Sequence, residues 1–183
     1  MEKDARRARD TWIAYRCQLG EPEGFELLVA EMERPLFYYV LKLLGDQDAA
    51  VDVLQEIWLK VFRTIHALRA PEALRTWLYR VARGTALNRV RGDSARTREE
   101  PLEEADATTT RDPGLRPDEA LDLHAALDRL DRRHREVLVL LFLEGLTVDE
   151  IARVVGVPAG TVKSRIHHGK RALAALLEGR GHE

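Results

Sequence analysis

The chain has 183 residues, with 29 lysines and arginines against 31 aspartates and glutamates, for a formal net charge of −2. With 45% hydrophobic and 33% charged residues it can bury real cores, enough for one large domain or two small helical ones. No apolar run approaches the ~18 residues that span a bilayer, and the start Met1-Glu2-Lys3-Asp4 is not an apolar signal, so a cytoplasmic protein without membrane insertion is expected.

Residues 1–22 read as an N-terminal extension, and the first predicted unit runs over 23–97. Its helices are expected near 23–32, 35–44, 49–66 and 71–91, with no strand-like alternation anywhere. Pro35 suits the first turn of the second helix, and Gly45-Asp46 ends it. On 49–66, Leu54, Ile57, Trp58, Val61, Phe62 and Ile65 form a broad apolar face, with Trp58 and Phe62 read as core. Asp52, Gln55, Glu56, Lys60 and Arg63 lie opposite, with Leu59 among them. An apolar side chain ringed by charges suits the centre of a protein contact, although single exposed leucines are common.

On 71–91, Leu74, Leu78, Val81 and Thr85 are the expected packing residues. Arg80, Arg83 and Arg91 lie on the far side, with Trp77 and Tyr79 at the flanks. Arginines beside aromatics suit single-stranded DNA, where cations meet phosphates and bases stack. Trp77 serves equally well as core.

Charge then changes abruptly. Residues 1–97 carry 16 basic and 14 acidic side chains, whereas 98–122 carry 3 and 9. That stretch also holds Pro101, Pro113 and Pro117, and Leu102 and Leu115 are its only large apolar residues before Pro117. It cannot bury enough surface to offset its ordering entropy. A flexible acidic linker over 98–118 is therefore expected between two helical units.

The second unit, 119–183, is predicted to hold helices near 119–130, 132–144, 147–155 and 158–178. Gly145 suits the position after a helix end, and Thr147-Val148-Asp149-Glu150 is a capping box. Gly156-Val157-Pro158 makes a turn into a helix on which Val162, Ile166, Leu173 and Leu177 share one sector. Lys163, Ser164, His167, His168 and Arg171 cluster opposite, with Gly160, where backbone can approach a phosphate. From Ile151 to Leu177 there are five lysines or arginines and no acid. A solvated basic face would explain the charge alone, but a short capped helix, a turn and an acid-free helix together favour DNA binding.

Enzymatic chemistry is not expected. Cys17 is the only cysteine, so neither a disulfide framework nor a cysteine zinc cluster is available. Ser94 and Ser164, the only serines, sit in no nucleophile elbow, and no G-x-G-x-x-G, P-loop or H-E-x-x-H occurs. Adjacent His167 and His168 diverge by about 100° on a helix and cannot share an ion. No cofactor and no metal site is expected.

Three segments resemble the bacterial sigma-70 family of RNA polymerase initiation factors, and specifically its extracytoplasmic-function (ECF) group, which keeps only regions two and four. The stretch Asp46–Phe62 is similar to the family's clamp-gripping helix. Thr76-Trp77-Leu78-Tyr79-Arg80-Val81-Ala82-Arg83 resembles the start of its −10 reading helix. Gly160-Thr161-Val162-Lys163-Ser164-Arg165-Ile166 is similar to its −35 recognition helix. The resemblance runs from about Phe25 to Leu177. It implies an all-α protein whose 23–97 unit is sigma region 2 and whose 119–183 unit is sigma region 4. It also implies a transcription initiation factor that binds core RNA polymerase, at the clamp of the largest subunit, and promoter DNA. An anti-sigma factor is a further partner it allows.

Carried over by position, Asp52, Gln55, Glu56 and Leu59 fall on the polymerase-binding face. Leu68, Trp77, Arg80, Arg83, Gly84 and Asn88 fall on the −10 DNA surface, where the loop His66–Arg75 matches the pocket for a flipped base. Gly160, Thr161, Lys163, Ser164, His167, His168 and Arg171 fall on the −35 surface. Leu68 stands where related factors often have an aromatic, and Gly84 where an asparagine is common. His167 and His168 replace a frequent aromatic and arginine. A stand-alone helix-turn-helix regulator, needing no polymerase, is the alternative reading.

Overall fold

The computed structural model describes residues 2–96 and 117–178, and within these the side chains of 4–92 and 123–178. The acidic linker expected over 98–118 lies almost wholly outside the described residues. Eight helices are present among them and no strand.

Helix α1 (Glu2–Gln18) occupies what the sequence suggested was only an extension. Asp10, Ile13, Ala14 and Cys17 recur at i, i+3, i+4 and i+7 and are all buried, which is the stripe an amphipathic helix needs. Burial among these neighbours pushes the Cys17 thiol up to about 11, so it packs as a small hydrophobe.

Helix α2 (Pro22–Leu44) is continuous through Pro35, where two helices were expected. Leu28, Met32, Leu36, Tyr39 and Leu43 form one buried stripe that crosses the proline without interruption. Burial of that stripe outweighs the ~3 kcal/mol a helix-interior proline costs. Gly45, at φ 73°, ends the helix in the left-handed conformation and returns its N–H to the Leu41 carbonyl at 2.7 Å.

Helix α3 (Gln47–Thr64) starts at Asp46, whose carboxylate accepts from the Ala49 N–H at 2.7 Å. Two short 3-10 turns, Ile65–Ala67 and Pro71–Ala73, lead into helix α4 (Leu74–Arg96). Helices α1 to α4 pack around one another as the first unit.

The second unit comprises α5 (Pro117–Asp128), α6 (Arg132–Leu138), α7 (Val148–Val155) and α8 (Ala159–Glu178). The helix expected over 132–144 is not regular to its end: Val139–Leu143 is a π turn, closed by the Glu144 N–H on the Val139 carbonyl. The extra residue in the turn carries Phe142 out to solvent, with Lys170 Nζ 4.9 Å from its ring centre, and carries Glu144 inward. Before α7, Thr147 and Glu150 form the reciprocal capping box that the sequence predicts.

Leu177 does not share the packing sector of α8 as expected, being 37% exposed. In that turn Leu176 packs against the core instead, and further back Gly169 is buried and would bring a Cβ to 3.2 Å from Leu138 Cδ1. A glycine here lets α8 approach α6 closely.

The two units are packed directly on each other. Helix α4 lies against α7, and α2 lies against α6, so buried residues from Ile13 to Ile166 form one contiguous core.

Candidate polymerase and promoter-DNA interfaces

On α3 the buried set is Ala50, Val53, Leu54, Ile57 and Val61. Asp52, Gln55, Glu56 and Leu59 lie on the opposite side and are all exposed, Leu59 by 57%. Phe62 departs from its expected place in the core: it is 60% exposed and stacks edge-on against Phe25, with ring centres 5.1 Å apart. Trp58 is half-buried against the other side of Phe25. Leu59 and Phe62 together extend an apolar stripe across an otherwise charged and polar face.

The −10 candidates divide into two groups. Trp77, Arg80, Gly84 and Asn88, at i, i+3, i+7 and i+11, share one face of α4, with Trp77 half-buried and the other three exposed. A Cβ at Gly84 would meet nothing within 4 Å, so that surface is open. Arg83 and Leu68 stand apart from this face. Arg83 points to the second unit, where its Nε donates to Glu136 Oε1 at 2.8 Å. Leu68 is buried at 9% exposure, and its carbonyl accepts from Gln18 Nε2 at 2.6 Å. The loop carrying Leu68 is thus tied down by α1, because a leucine has nothing to gain from solvent.

On α8 the arrangement is uniform. Gly160, Thr161, Lys163, Ser164, His167, His168 and Arg171 are all exposed, while Val162, Ile166 and Gly169 are buried behind them. Gly156, at φ 74°, ends α7 and sets the turn that presents this face. His134 of α6 approaches the cluster, its ring centre 6.5 Å from that of His168.

The sequence reading missed the polar residues that join the units. Tyr79, expected at a flank, is fully buried and its hydroxyl donates to Glu144. Tyr39, also fully buried, donates to Glu136 Oε1 at 2.9 Å. Burial first, and then the adjacent carboxylate, pushes both phenols well above their ordinary range. Burial likewise pushes Glu144 up to about 7, against the opposing pull of the Tyr79 hydroxyl and of Arg75 and Arg6. A signal was available: Glu136 and Glu144 flank the apolar run Val137–Leu143, and a carboxylate in such a run is rarely buried without a partner. Among the described residues no group of three or more potential metal ligands gathers, and no helix is long and apolar enough to cross a membrane.

Two family models match the chain, Sigma-70 region 2 over residues 28–96 and Sigma-70, region 4 over residues 120–173. RNA polymerase sigma-H factor of Pseudomonas aeruginosa is 30% identical over 182 residues, covering 93% of this chain and 94% of the relative. ECF RNA polymerase sigma factor SigE of Mycolicibacterium smegmatis is 36% identical over 166 residues, covering 87% of this chain and 63% of the relative. Among solved structures, the sigma factor RpoE of Bartonella quintana, in complex with the anti-sigma factor NepR, shares the fold. It aligns with a TM-score of 0.71 at 23% identity, over 84% of this chain and 96% of that one. With both regions matched in order on the fold described, the chain belongs to the ECF group of the sigma-70 family, the transcription initiation factors of RNA polymerase.

Proposed function

We propose that three surfaces of this factor divide the work of initiation. Asp52, Gln55, Glu56 and Leu59 of α3 contact the clamp of core polymerase. Trp77, Arg80, Gly84 and Asn88 of α4, together with Arg83, take the −10 single strand, with Leu68 supporting the adjoining loop from below. Gly160, Thr161, Lys163, Ser164, His167, His168 and Arg171 of α8 read the −35 duplex. The observation that carries this reading is the α8 face, on which every one of the seven residues is exposed behind a capped helix-turn-helix. A basic helix presented this way places side chains on base edges and phosphates of the major groove.

The factor binds and positions, and we infer that it performs no bond chemistry of its own and works in the cytoplasm. An anti-sigma factor is inferred as a partner, by analogy with the complex formed by the Bartonella protein. A stand-alone regulator would leave the exposed charged and apolar face of α3 without a role.

Two substitutions test the division. Lys163→Ala is expected to weaken promoter binding on all sequences and to lower the salt slope by about one unit. Leu59→Ala is expected to weaken core-polymerase binding by ~2 kcal/mol, with helical content and melting temperature unchanged. A stability loss in place of a binding loss would remove Leu59 from the contact face.

A further inference from the structure

The two adjacent histidines of α8 do not occupy equivalent places on its exposed face. Each residue of a helix advances about 100° around the axis. Gly160, Ser164, His167 and Arg171 then fall within a sector of about 60°, the centre of the exposed face. His168 stands about 100° round from His167, and buried Gly169 about 100° beyond that. His168 therefore lies between the centre of the face and the side on which α6 packs.

Helix α6 brings a third imidazole to that side. A Cβ at Gly169 would lie 3.3 Å from the Cβ of His134. The His134 ring centre is 6.5 Å from that of His168, which is 5.5 Å from that of His167. The rings thus step from the middle of the α8 face onto a second helix, exposed at His167 and His168 and half-buried at His134.

Cations dominate the surroundings. Lys163, Arg165, Lys170 and Arg171 share α8 with the histidines, and Arg132, Arg133 and Arg135 share α6 with His134. Arg129 follows α5, and Arg153, Asp149 and Glu150 belong to α7. Asp131 lies close to His134, but the main chain and guanidinium of Arg133 already donate to it at 2.9 and 3.0 Å. Asp128, at the end of α5, is taken by Lys42 and Arg135, and Glu150 by Thr147 and Arg7.

Imidazoles change charge between about pH 5 and 8, and a neighbouring anion favours the charged form. Duplex DNA brings one phosphate per about 1.7 Å of its axis. A helix laid in the major groove turns its central side chains to base edges and its flanks to the backbone. Thus His167 is placed for bases, and His168 with His134 for phosphates.

We propose that His134 of α6 belongs to the duplex-binding surface and, paired with His168, forms a phosphate contact that takes up protons as DNA binds. The proposal rests on the reading of α8 as the duplex-binding helix. Because the bound state holds more protons than the free state, binding tightens as pH falls and weakens as pH rises.

The test uses the full chain and a fluorescein-labelled duplex of about 30 base pairs and arbitrary sequence, which reports phosphate contacts through anisotropy at low salt. The wild type is expected to bind about tenfold more tightly at pH 6 than at pH 8. Its salt slope is expected to steepen at pH 6 by about one unit for each imidazole charged. His134→Gln and His168→Gln are each expected to remove about half of both differences, and the double variant nearly all of them. His134→Lys with His168→Lys keeps the charge at every pH, and is expected to retain at pH 8 the affinity that the wild type has at pH 6. Exposed His168 gives the readout on its own should His134→Gln disturb α6. Wild-type binding equal at both pH values would overturn the proposal. So would a pH dependence that survives the double glutamine variant, since it would then arise elsewhere, at Glu144, His66 or His124. Lys163→Ala, measured alongside at pH 8, separates the two levels. Duplex binding that Lys163→Ala leaves unweakened would overturn the reading of α8 itself.

Discussion

Helices α4 and α8 both carry arginines on the side away from their own unit's core, yet the fold treats those sides differently. On α8 the buried residues Val162, Ile166 and Gly169 occupy one side, and Lys163, Ser164, His167 and Arg171 face solvent together. On α4 packing comes from two directions, from α3 within the first unit and from α7 and Glu136 across the junction. Arg80 and Asn88 remain exposed while Arg83, three residues from Arg80, is held. A helical wheel locates a reading face on a helix packed along one side by its own unit. On a helix shared by two units it locates only what the first unit leaves over, and the second unit then takes its part.

The strongest way to break this comparison is to ask whether the units unfold together. Ile57 and Ile151 are both fully buried, one in each unit. Truncating either to alanine is expected to cost about 2–5 kcal/mol. The three tryptophans, Trp12, Trp58 and Trp77, all lie in the first unit. If the junction couples the units, Ile151→Ala shifts the tryptophan-fluorescence transition in urea as far as it shifts the far-UV circular dichroism transition. A tryptophan midpoint that stays put while the dichroism midpoint moves would show two independent domains, and α4 would then be packed from one side for most of the time.

A smaller effect tests the outer support of the first unit. A Cβ on Gly24 would lie 2.7 Å from Arg16 Cβ and 2.9 Å from the backbone carbon of Arg16. Gly24→Ala is therefore expected to push α1 off α2 and to cost about 1–2 kcal/mol, the clash exceeding the helix propensity gained. Urea denaturation checks it. An unchanged midpoint would mean that α1 is not held against α2, and with it would go the tie from Gln18 to the loop at Leu68.

The smallest expected effect concerns α7, the helix between α4 and α8. Thr147→Ala removes the side chain that accepts from the Glu150 N–H and is expected to cost about 1 kcal/mol. The Thr147 backbone N–H donates to Glu150 at 2.8 Å, and Arg7 of α1 donates to the same carboxylate at 3.1 Å. Those bonds and the Thr147 hydroxyl hold the Glu150 carboxyl below its ordinary range, against partial burial, which acts in the opposite direction. Thermal unfolding of the variant is expected to show a shift of a few degrees with −35 base preference intact. A changed preference would mean that α7 positions α8 more loosely than its packing suggests.

Periodicity and caps carried much of this molecule in the sequence alone. The broad side of α3 that buries Ile57, the turn at Gly156 and the capping box at Thr147 are local matters, decided within four residues by hydrogen-bond geometry and helical spacing. Six residues of the exposed α8 face follow from the same spacing, and Thr161 was added by the family resemblance. Local rules failed where distant surface outweighed them. Pro35 reads as a helix start, but the buried stripe from Leu28 to Leu43 carries α2 straight through it. Residues 1–22 read as an extension, while the stripe of Ile13, Ala14 and Cys17 had a partner only once α2 was in place. Tyr79, Glu136 and Glu144 showed as a phenol at a helix flank and two carboxylates beside an apolar run. Only the docking of one unit on the other made them partners, because a buried charge or hydroxyl acquires its meaning from groups brought to it by the fold, 65 residues away for Tyr79 and Glu144.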